Sequence, residues 1–396
     1  MAPPRRFIVN DDETPRTVDA NRELLASLDR ITTHWPPVHT CSTGWKFQGF
    51  YNGPTSIAYL FYRLSQIFPD MEFKQQTLLD WSVAYLALGA HRTKKEPYST
   101  DCGITNETLA HLSLSAIMDQ NTNLVREICS FDQDCNDRHL TGSDEWMYGR
   151  AGYLYFLRLC KTLVNDIETP ESSTATLLDK TIQNTMVRIL ANSPTHYWHG
   201  KEYFGAAHGT VGMVTQLMLS HRLISFGVHT ILERVLDRQC PSGNFPPTAR
   251  TQYEDFELPP EDHLVQFCHG APGIIIALRS LLPHFPNNAA AMRDRVEAAM
   301  EEAEKDVWKR GLLTKNPCLC HGIAGNALAL SRDNHERFLH FLSWMSTEEL
   351  ENRGWLEEEK RADRAAGLYT GEAGRAWAWA IAVSNGPRVL IGFNDL

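Results

Sequence analysis

The 396-residue sequence has no apolar run that approaches the roughly 18 residues needed to cross a membrane. The apolar stretch at 274–278, for example, ends at Arg279. An excess of positive charge is also absent, because 38 Lys and Arg residues against 48 Asp and Glu residues give a net charge of −10 at pH 7. Phosphate backbones and anionic lipids therefore exert no electrostatic attraction on the chain. We expect no nucleic-acid partner and no integral membrane association.

We also expect no secretion signal, because the basic residues near the N-terminus are not followed by a long apolar segment. Nine cysteines in such a chain do not predict a disulfide framework. We therefore expect a cytoplasmic protein whose cysteines are mostly small buried residues, apart from any that act as thiolates. Apolar residues at 43% and charged residues at 22% predict a folded, globular chain.

A short glycine signature, Gly-x-x-Gly, recurs along the chain, and an apolar stretch without proline follows each copy. Successive copies are 46 to 61 residues apart, which leaves room for two helices in each unit. Two early copies have Ser56 or Asn106 in place of the second glycine. The intact copies begin at Gly149, Gly209, Gly270, Gly322 and Gly371, and the incomplete copies begin at Gly53 and Gly103.

The apolar segments after the signatures differ from the stretch at 287–308, which is charged and amphipathic. This contrast predicts buried inner helices that alternate with outer helices. Because neither end of the array has a polar capping repeat, we predict that seven helical hairpins close into an α/α toroid, an all-α fold, over residues 51–396. Residues 1–50 carry no signature, and we interpret them as a flexible arm followed by an outer helix at 20–28.

Glycine at the start of a helix permits close packing and leaves N–H groups that can face a ligand. Close packing alone explains the repeat, but it does not explain the residues that directly precede three consecutive signatures. If all inner helices begin at one end of the ring, these residues meet at one rim. Thiolate sulfur and imidazole nitrogen are preferred zinc ligands, so the rim is a predicted zinc site, with Cys318 as a weaker alternative ligand. The three preceding pairs are Ala207-His208, Cys268-His269 and Cys320-His321.

These motifs resemble those of the lanthionine synthetase C-like family, whose eukaryotic members carry Ala-Ala-His-Gly, Cys-His-Gly-Ala-Pro-Gly and Cys-His-Gly-x-Ala-Gly-Asn in this order. The three motifs begin here at Ala206, Cys268 and Cys320, and the similarity extends from about Tyr51 to the C-terminus. The resemblance implies a seven-fold double α-barrel with one zinc ion per chain. It assigns the zinc ligands to Cys268, Cys320 and His321, which makes His269 a neighbour of the site.

The resemblance also implies an activity. Bacterial members use zinc to activate a cysteine thiol for addition to dehydroalanine or dehydrobutyrine, and eukaryotic members bind glutathione and can add it to dehydroamino acids in proteins. We therefore expect an enzyme that adds a thiol such as glutathione to a dehydroamino-acid-containing peptide or protein, or to a small electrophile. A non-catalytic zinc- and glutathione-binding sensor or adaptor is the alternative.

Two residues are candidates for proton transfer. Addition to a dehydroamino acid creates an enolate that needs a proton, and His208 is the candidate donor because imidazole titrates near neutrality. Glu145, four residues before Gly149, matches by offset an acidic residue implicated in the bacterial enzymes. We expect Glu145 to remove the thiol proton or to orient His208, with a solvated surface acid as the alternative interpretation.

Two basic residues close to the rim motifs, Arg150 and Lys201, are candidates for binding the carboxylates of glutathione, with a surface charge as the alternative for each. The strongly acidic segment at 251–262 lies just before the first zinc cysteine. We interpret it as an exposed loop, with a lid that repels anionic substrates as the alternative.

Overall fold

The computed structural model describes residues 6–10, 15–38, 44–90, 96–137, 143–191, 197–221, 226–249, 264–286, 289–356 and 365–396. The described residues are mostly helical, and their short strands form two antiparallel hairpins. The helices are α1 (Ala20–His34), α2 (Pro54–Ile67), α3 (Leu78–Gly89), α4 (Glu107–Met118), α5 (Thr122–Ser130), α6 (Asp132–Cys135), α7 (Arg150–Ile167), α8 (Ser173–Leu190), α9 (Thr210–Ser220), α10 (Phe226–Leu236), α11 (Ala271–Leu281), α12 (Ala290–Arg310), α13 (Ile323–Ala329), α14 (His335–Ser343), α15 (Thr347–Asn352) and α16 (Glu372–Ser384). The strands are β1 (Glu72–Phe73), paired with β2 (Gln76–Thr77), and β3 (Tyr197–Trp198), paired with β4 (Lys201–Glu202).

Seven of these helices form a closed inner ring. Each inner helix contacts the next one, and the last contacts the first, in the order α2, α4, α7, α9, α11, α13, α16. A second helix packs on each of them in the outer layer, in the same order α3, α5, α8, α10, α12, α14 and α1. This closed double ring confirms the predicted α/α toroid.

The burial of the two layers follows their sequence patterns. Every residue from Arg150 to Cys160 in α7 is buried, because an inner helix faces other protein on all sides. In the outer helix α12, by contrast, buried apolar residues recur at helical spacing, as at Met292, Val296 and Ala299. Within the described residues, none of the helices combines the length and the apolarity that a bilayer crossing requires.

The second glycine of each intact signature allows its inner helix to start very close to the loop that precedes it. A Cβ atom at any of these five glycines would meet the backbone oxygen of the residue six positions earlier. The interpretation of the glycines as packing residues therefore accounts for their recurrence. The second repeat differs, because α4 begins only after Asn106, whose side chain accepts a hydrogen bond from the Leu109 N–H (2.9 Å). The five glycine and carbonyl pairs are Gly152 and Trp146, Gly212 and Ala206, Gly273 and Phe267, Gly325 and Leu319, and Gly374 and Leu368.

Backbone hydrogen bonds join the loops before the inner helices into a rim. The N–H of Cys268 donates to the carbonyl of Cys320 (3.1 Å), and the N–H of Cys320 donates to the carbonyl of Tyr369 (3.0 Å). The N–H of Tyr369 donates in turn to the carbonyl of Tyr51 (3.0 Å). Each of these four residues stands two positions before the first glycine of its signature. Equivalent positions of different repeats therefore meet at the rim, as the sequence predicted.

The C-terminal segment fills the inside of the ring below the rim. Phe393 packs against Phe267 with ring centroids 5.3 Å apart, and its carbonyl accepts a hydrogen bond from Gln216 of α9 (2.9 Å). The buried carboxylate of Asp395 accepts a hydrogen bond from the Tyr155 hydroxyl (2.9 Å) and pairs with Arg63. These contacts fix the inner helices from within the ring.

The N-terminal region is part of the ring. Helix α1 continues to His34, beyond the predicted 20–28, and packs against α16 as the seventh outer helix. The N–H of Ile8 donates to the Leu312 carbonyl (2.7 Å), and the Asn10 amide donates to the Trp308 carbonyl (3.0 Å). The interpretation of a flexible arm therefore does not fit residues 6–10, which are hydrogen-bonded to the outer surface of the ring.

Glu107, a buried acid in the first turn of α4, is expected to make stability depend on pH. Burial raises its pKa from 4.5 to about 7, although Thr55 and the Gly49 N–H both donate to the carboxylate. Because the folded-state pKa is raised, the protonated Glu107 contributes fully to the free energy of unfolding below pH 4.5. This contribution, about 3 kcal/mol, is lost as the pH rises through 7. Urea unfolding of Glu107→Gln between pH 5 and 8 should lack this decline. The exposed-acid control Glu127→Gln should retain it, and equal slopes in the two variants would contradict the prediction.

Candidate functional site

Cys268, Cys320 and His321 meet at the rim. One ligand atom from each residue lies within 4.8 Å of the other two, and both cysteines are buried. Ligand atoms around a tetrahedral zinc ion are about 3.3 to 3.8 Å apart, so this cluster needs only small shifts to close on an ion. Two sulfurs and one imidazole nitrogen suit zinc and leave a fourth position open. Among the described residues, no second cluster of this kind is found.

The charges of the cluster also fit a cation. The hydrogen bond with Cys268, together with burial, raises the pKa of the Cys320 thiol well above its usual range. The sulfurs of Cys318 and Cys320 raise the pKa of His321 to about 10. Without a cation, the neighbouring sulfur and burial therefore oppose ionisation of the Cys320 thiol. A divalent cation among the three side chains would stabilise two thiolates and a neutral imidazole.

Cys318, the alternative ligand, lies beside the cluster and is fully buried. Its side chain is hydrogen-bonded to His321, but it does not belong to the set of mutually close ligand atoms. This position favours a role in orienting the His321 imidazole, since histidine ligands of metals commonly use their second nitrogen for such a contact.

Each cluster cysteine accepts a hydrogen bond from a side chain that the sequence analysis did not identify. The Gln266 amide donates to the sulfur of Cys268 (2.9 Å), and the Tyr51 hydroxyl donates to the sulfur of Cys320 (3.3 Å). The Lys315 ammonium donates to the oxygen of the Gln266 amide (2.5 Å). Tyr51 had a readable signal, because it stands two residues before its glycine signature, as both cysteines do.

His208 and Glu145 form a hydrogen-bonded pair on the same rim. Nδ1 of His208 lies 3.1 Å from a carboxylate oxygen of Glu145, whose side chain is only 2% exposed. Glu145 also accepts hydrogen bonds from the backbone N–H groups of Met147 (2.7 Å) and Tyr148 (2.6 Å). The interpretation of Glu145 as a solvated surface acid is therefore wrong. Because a carboxylate accepts hydrogen bonds and does not donate them, it favours the tautomer with the proton on Nδ1. Nε2 is then the nitrogen available for proton transfer.

Aromatic rings surround the His208 imidazole. The indole of Trp198, at the end of β3, stacks on it with centroids 3.8 Å apart and an interplanar angle of 8°. Tyr148 lies parallel at 6.0 Å, and Tyr203 meets the imidazole edge-on at 6.3 Å. The short β3–β4 hairpin thus covers one face of His208. No glycine signature marks this hairpin, and the sequence analysis did not identify its tryptophan.

His269 lies between the His208–Glu145 pair and the sulfur cluster. It directly follows Cys268 in the chain, and its ring centroid lies 6.0 Å from that of His208. Burial, with the nearby His208 and Lys315, lowers the pKa of His269 to about 4, so its imidazole is neutral at physiological pH. Because it lies outside the set of ligand atoms, its position fits the expectation that it is a neighbour of the site.

The two predicted glutathione-binding residues have different surroundings. Arg150 is fully buried, where it donates to Asp144 (2.8 Å) and to the Cys135 carbonyl (2.8 Å). A substrate carboxylate cannot reach it there, so the predicted binding role does not fit the structure. Lys201 is exposed on β4, in the hairpin that covers His208, and its role stays a prediction.

Another basic residue, Lys315, lies near the sulfurs, and Arg6 lies near Lys315. Lys315 is half-buried and interacts electrostatically with the cluster cysteines and with Arg6. Arg6 is exposed, and its carbonyl accepts a hydrogen bond from the Thr314 N–H (3.0 Å) next to Lys315. The acidic segment at 251–262 lies outside the described residues, so neither of its interpretations is decided.

Known proteins similar to this chain agree on one family. The family profile of lanthionine synthetase C-like proteins matches residues 44–386. Glutathione S-transferase LANCL1 of Danio rerio is 28% identical over 337 residues, which are 77% of this chain and 72% of that protein. LanC-like protein GCL1 of Arabidopsis thaliana is 30% identical over 256 residues, which are 61% of this chain and 55% of that protein. The structure of nisin cyclase has the same fold, with a TM-score of 0.57 at 14% identity over 94% of this chain and 97% of that one.

Proposed function

Because the chain belongs to the lanthionine synthetase C-like family, we propose that it catalyses the zinc-dependent addition of a thiol to an electron-poor alkene to form a thioether. The thiol is glutathione or a similar small thiol, and the alkene is a dehydroamino acid in a peptide or protein, or a related small electrophile. One observation carries this proposal. A cluster of two cysteine sulfurs and an imidazole that suits zinc lies on the same rim as a histidine that is oriented by a buried carboxylate.

Cys268, Cys320 and His321 would hold one zinc ion per chain. Zinc bound there would lower the pKa of an added thiol and leave one position for its sulfur, so that the thiolate would be the main form at neutral pH. The two cysteine ligands would also keep the ion rich in electrons, which would favour a nucleophilic sulfur.

His208 is proposed as the proton donor. When a thiolate forms a bond to the β-carbon of a dehydroamino acid, the alkene electrons move to an enolate, whose α-carbon then needs a proton. Nε2 of His208 is suited to deliver it, while Glu145 holds Nδ1 and stabilises the charged imidazolium. Because Glu145 already accepts two backbone hydrogen bonds, orientation of His208 is the better supported of its two predicted roles.

Lys315 and Arg6 are proposed to attract the carboxylates of glutathione, together with the exposed Lys201 on the hairpin. All three are basic side chains in a chain whose net charge is −10, so together they would supply a local positive field for an anionic thiol. The eight cysteines within the described residues are all free thiols, which favours a reducing, cytoplasmic location.

The test combines purified zinc-loaded protein with glutathione and a peptide that contains dehydroalanine, and follows the adduct by mass spectrometry. We expect adduct formation above the uncatalysed background, its loss with 1,10-phenanthroline, and its recovery when zinc is added back. If calorimetry shows that glutathione binds but adduct formation is not accelerated with any of several dehydropeptides, the sensor or adaptor function would replace the proposed enzymatic one. Equal rates with and without chelator would contradict the role of zinc.

A further inference from the structure

Three sulfurs meet at the zinc site in the proposed function, and only one of them is the substrate. We propose that Gln266 and Tyr51 determine which sulfur reacts, by donating hydrogen bonds that suppress attack by the two ligand sulfurs, Cys268 and Cys320. This inference rests on the proposed function, which it deepens by naming the residues that keep the site from modifying itself.

Gln266 is positioned so that it can only donate to Cys268. The residue is 6% exposed, and its side-chain nitrogen lies 2.9 Å from the sulfur. The amide oxygen faces the Lys315 ammonium at 2.5 Å. Because an ammonium group has donors and no acceptor, Lys315 selects the orientation in which the oxygen faces it and the NH₂ group faces the sulfur.

Tyr51 is held by the closure of the ring. Its aromatic ring stacks on that of Tyr369 with centroids 5.4 Å apart, and its carbonyl accepts the Tyr369 N–H (3.0 Å). These two contacts place the hydroxyl 3.3 Å from the sulfur of Cys320. Tyr51 belongs to the first repeat, Tyr369 to the last, and Cys320 to the one before it, so the toroid must close before this hydrogen bond can form.

The suppressed reaction would destroy the site. A ligand thiolate that attacked dehydroalanine would form a sulfur–carbon bond with a sulfur lone pair, send the alkene electrons to an enolate, and leave a thioether after the α-carbon takes up a proton. A neutral thioether is a much weaker zinc ligand than a thiolate. A hydrogen bond to the sulfur withdraws electron density from the lone pair that would attack, because hydrogen bonds to charged acceptors are strong. Gln266 and Tyr51 are occupied by the ligand sulfurs, so the substrate sulfur keeps its full reactivity.

The inference is tested by alkylation of zinc-loaded protein with iodoacetamide, in which sulfur displaces iodide from carbon, and with N-acetyldehydroalanine methyl ester. The variants are Tyr51→Phe and Gln266→Leu, with Gln266→Glu as a second variant that keeps the side-chain shape but replaces the donor. Tyr369→Phe is the matched control, since the Tyr369 hydroxyl donates to the Ile391 carbonyl (2.7 Å) and not to a sulfur. Mass spectrometry of the digested protein gives the alkylation rate of each cysteine, and a coloured chelator reports zinc release in parallel.

We expect alkylation about tenfold faster at Cys320 in Tyr51→Phe and at Cys268 in the Gln266 variants, with zinc still bound when alkylation begins. The other ligand cysteine and the Tyr369→Phe protein should react at the wild-type rate. Wild-type rates in all variants, or alkylation that only follows zinc release, would overturn the inference. Alkylation of the cysteines does not require turnover. If the wild-type protein fails to add glutathione, the proposed function is wrong, but the alkylation rates of the variants still test this inference.

Discussion

Replacement of Cys320 by alanine is expected to lower the zinc content from about one ion per chain to near zero and to reduce adduct formation to the uncatalysed background. The structure supplies three mutually close ligand atoms, so the loss of one sulfur leaves only two protein ligands. The ring should persist, because its core consists of apolar side chains from all seven inner helices. Elemental analysis, circular dichroism and adduct mass spectrometry of the same preparation measure the three effects.

Two further cysteine variants serve as controls for this result. Cys160→Ala removes a fully buried thiol from α7, outside the cluster, and should retain zinc and activity. Cys318→Ala should also retain the ion, with weaker affinity, because Cys318 contacts His321 and is not in the ligand set. Full zinc content in Cys320→Ala, or complete loss in Cys318→Ala alone, would mean that the ligands have been assigned wrongly.

The fold was predictable because each repeat carries a short sequence signature of its own. Five of the seven inner helices have a glycine that packs against the carbonyl six residues earlier, and this packing leaves a recurring signature in the sequence. The apolar inner and amphipathic outer segments then indicate two layers. The second repeat was harder to place, since Asn106 caps α4 by its side chain and the helix starts three residues late. In the N-terminal region the outer helix was predicted, but its end at His34 and its packing on the last inner helix were not, because that partner lies far away in the sequence.

The site was predictable only where residue type and offset coincide. A cysteine or histidine that directly precedes a glycine signature must lie on the rim, so the sequence shows its position. Lys315 and Trp198 lack such a signal, because a loop and a hairpin bring them to the rim. Gln266 stands four residues before Gly270, the offset that Glu145 has from Gly149, but its residue type did not indicate a role. Arg150 shows the opposite error. It lies within a signature, yet the first turn of an inner helix points its side chain into the protein, where it pairs with Asp144.

His208→Ala is expected to slow adduct formation by roughly a hundredfold, the usual scale for removal of a general acid. Zinc content and glutathione binding should remain unchanged, because His208 is not a ligand of the cluster. Glu145→Gln should have a smaller effect, about tenfold, since it keeps the size of the side chain but weakens the orientation and charge stabilisation of the imidazole. The rate constants follow from adduct mass spectrometry at saturating concentrations of both substrates.

The double variant of His208 and Glu145 separates a joint role from two independent ones. If Glu145 acts through the histidine, as the 3.1 Å contact with Nδ1 indicates, His208→Ala combined with Glu145→Gln should be no slower than His208→Ala alone. Independent removal of the thiol proton by Glu145 would instead make the two losses multiply, to roughly a thousandfold. A fully folded His208→Ala protein that turns over at the wild-type rate would exclude the proton-donor role, and Nε2 would then have only a packing function beneath Trp198.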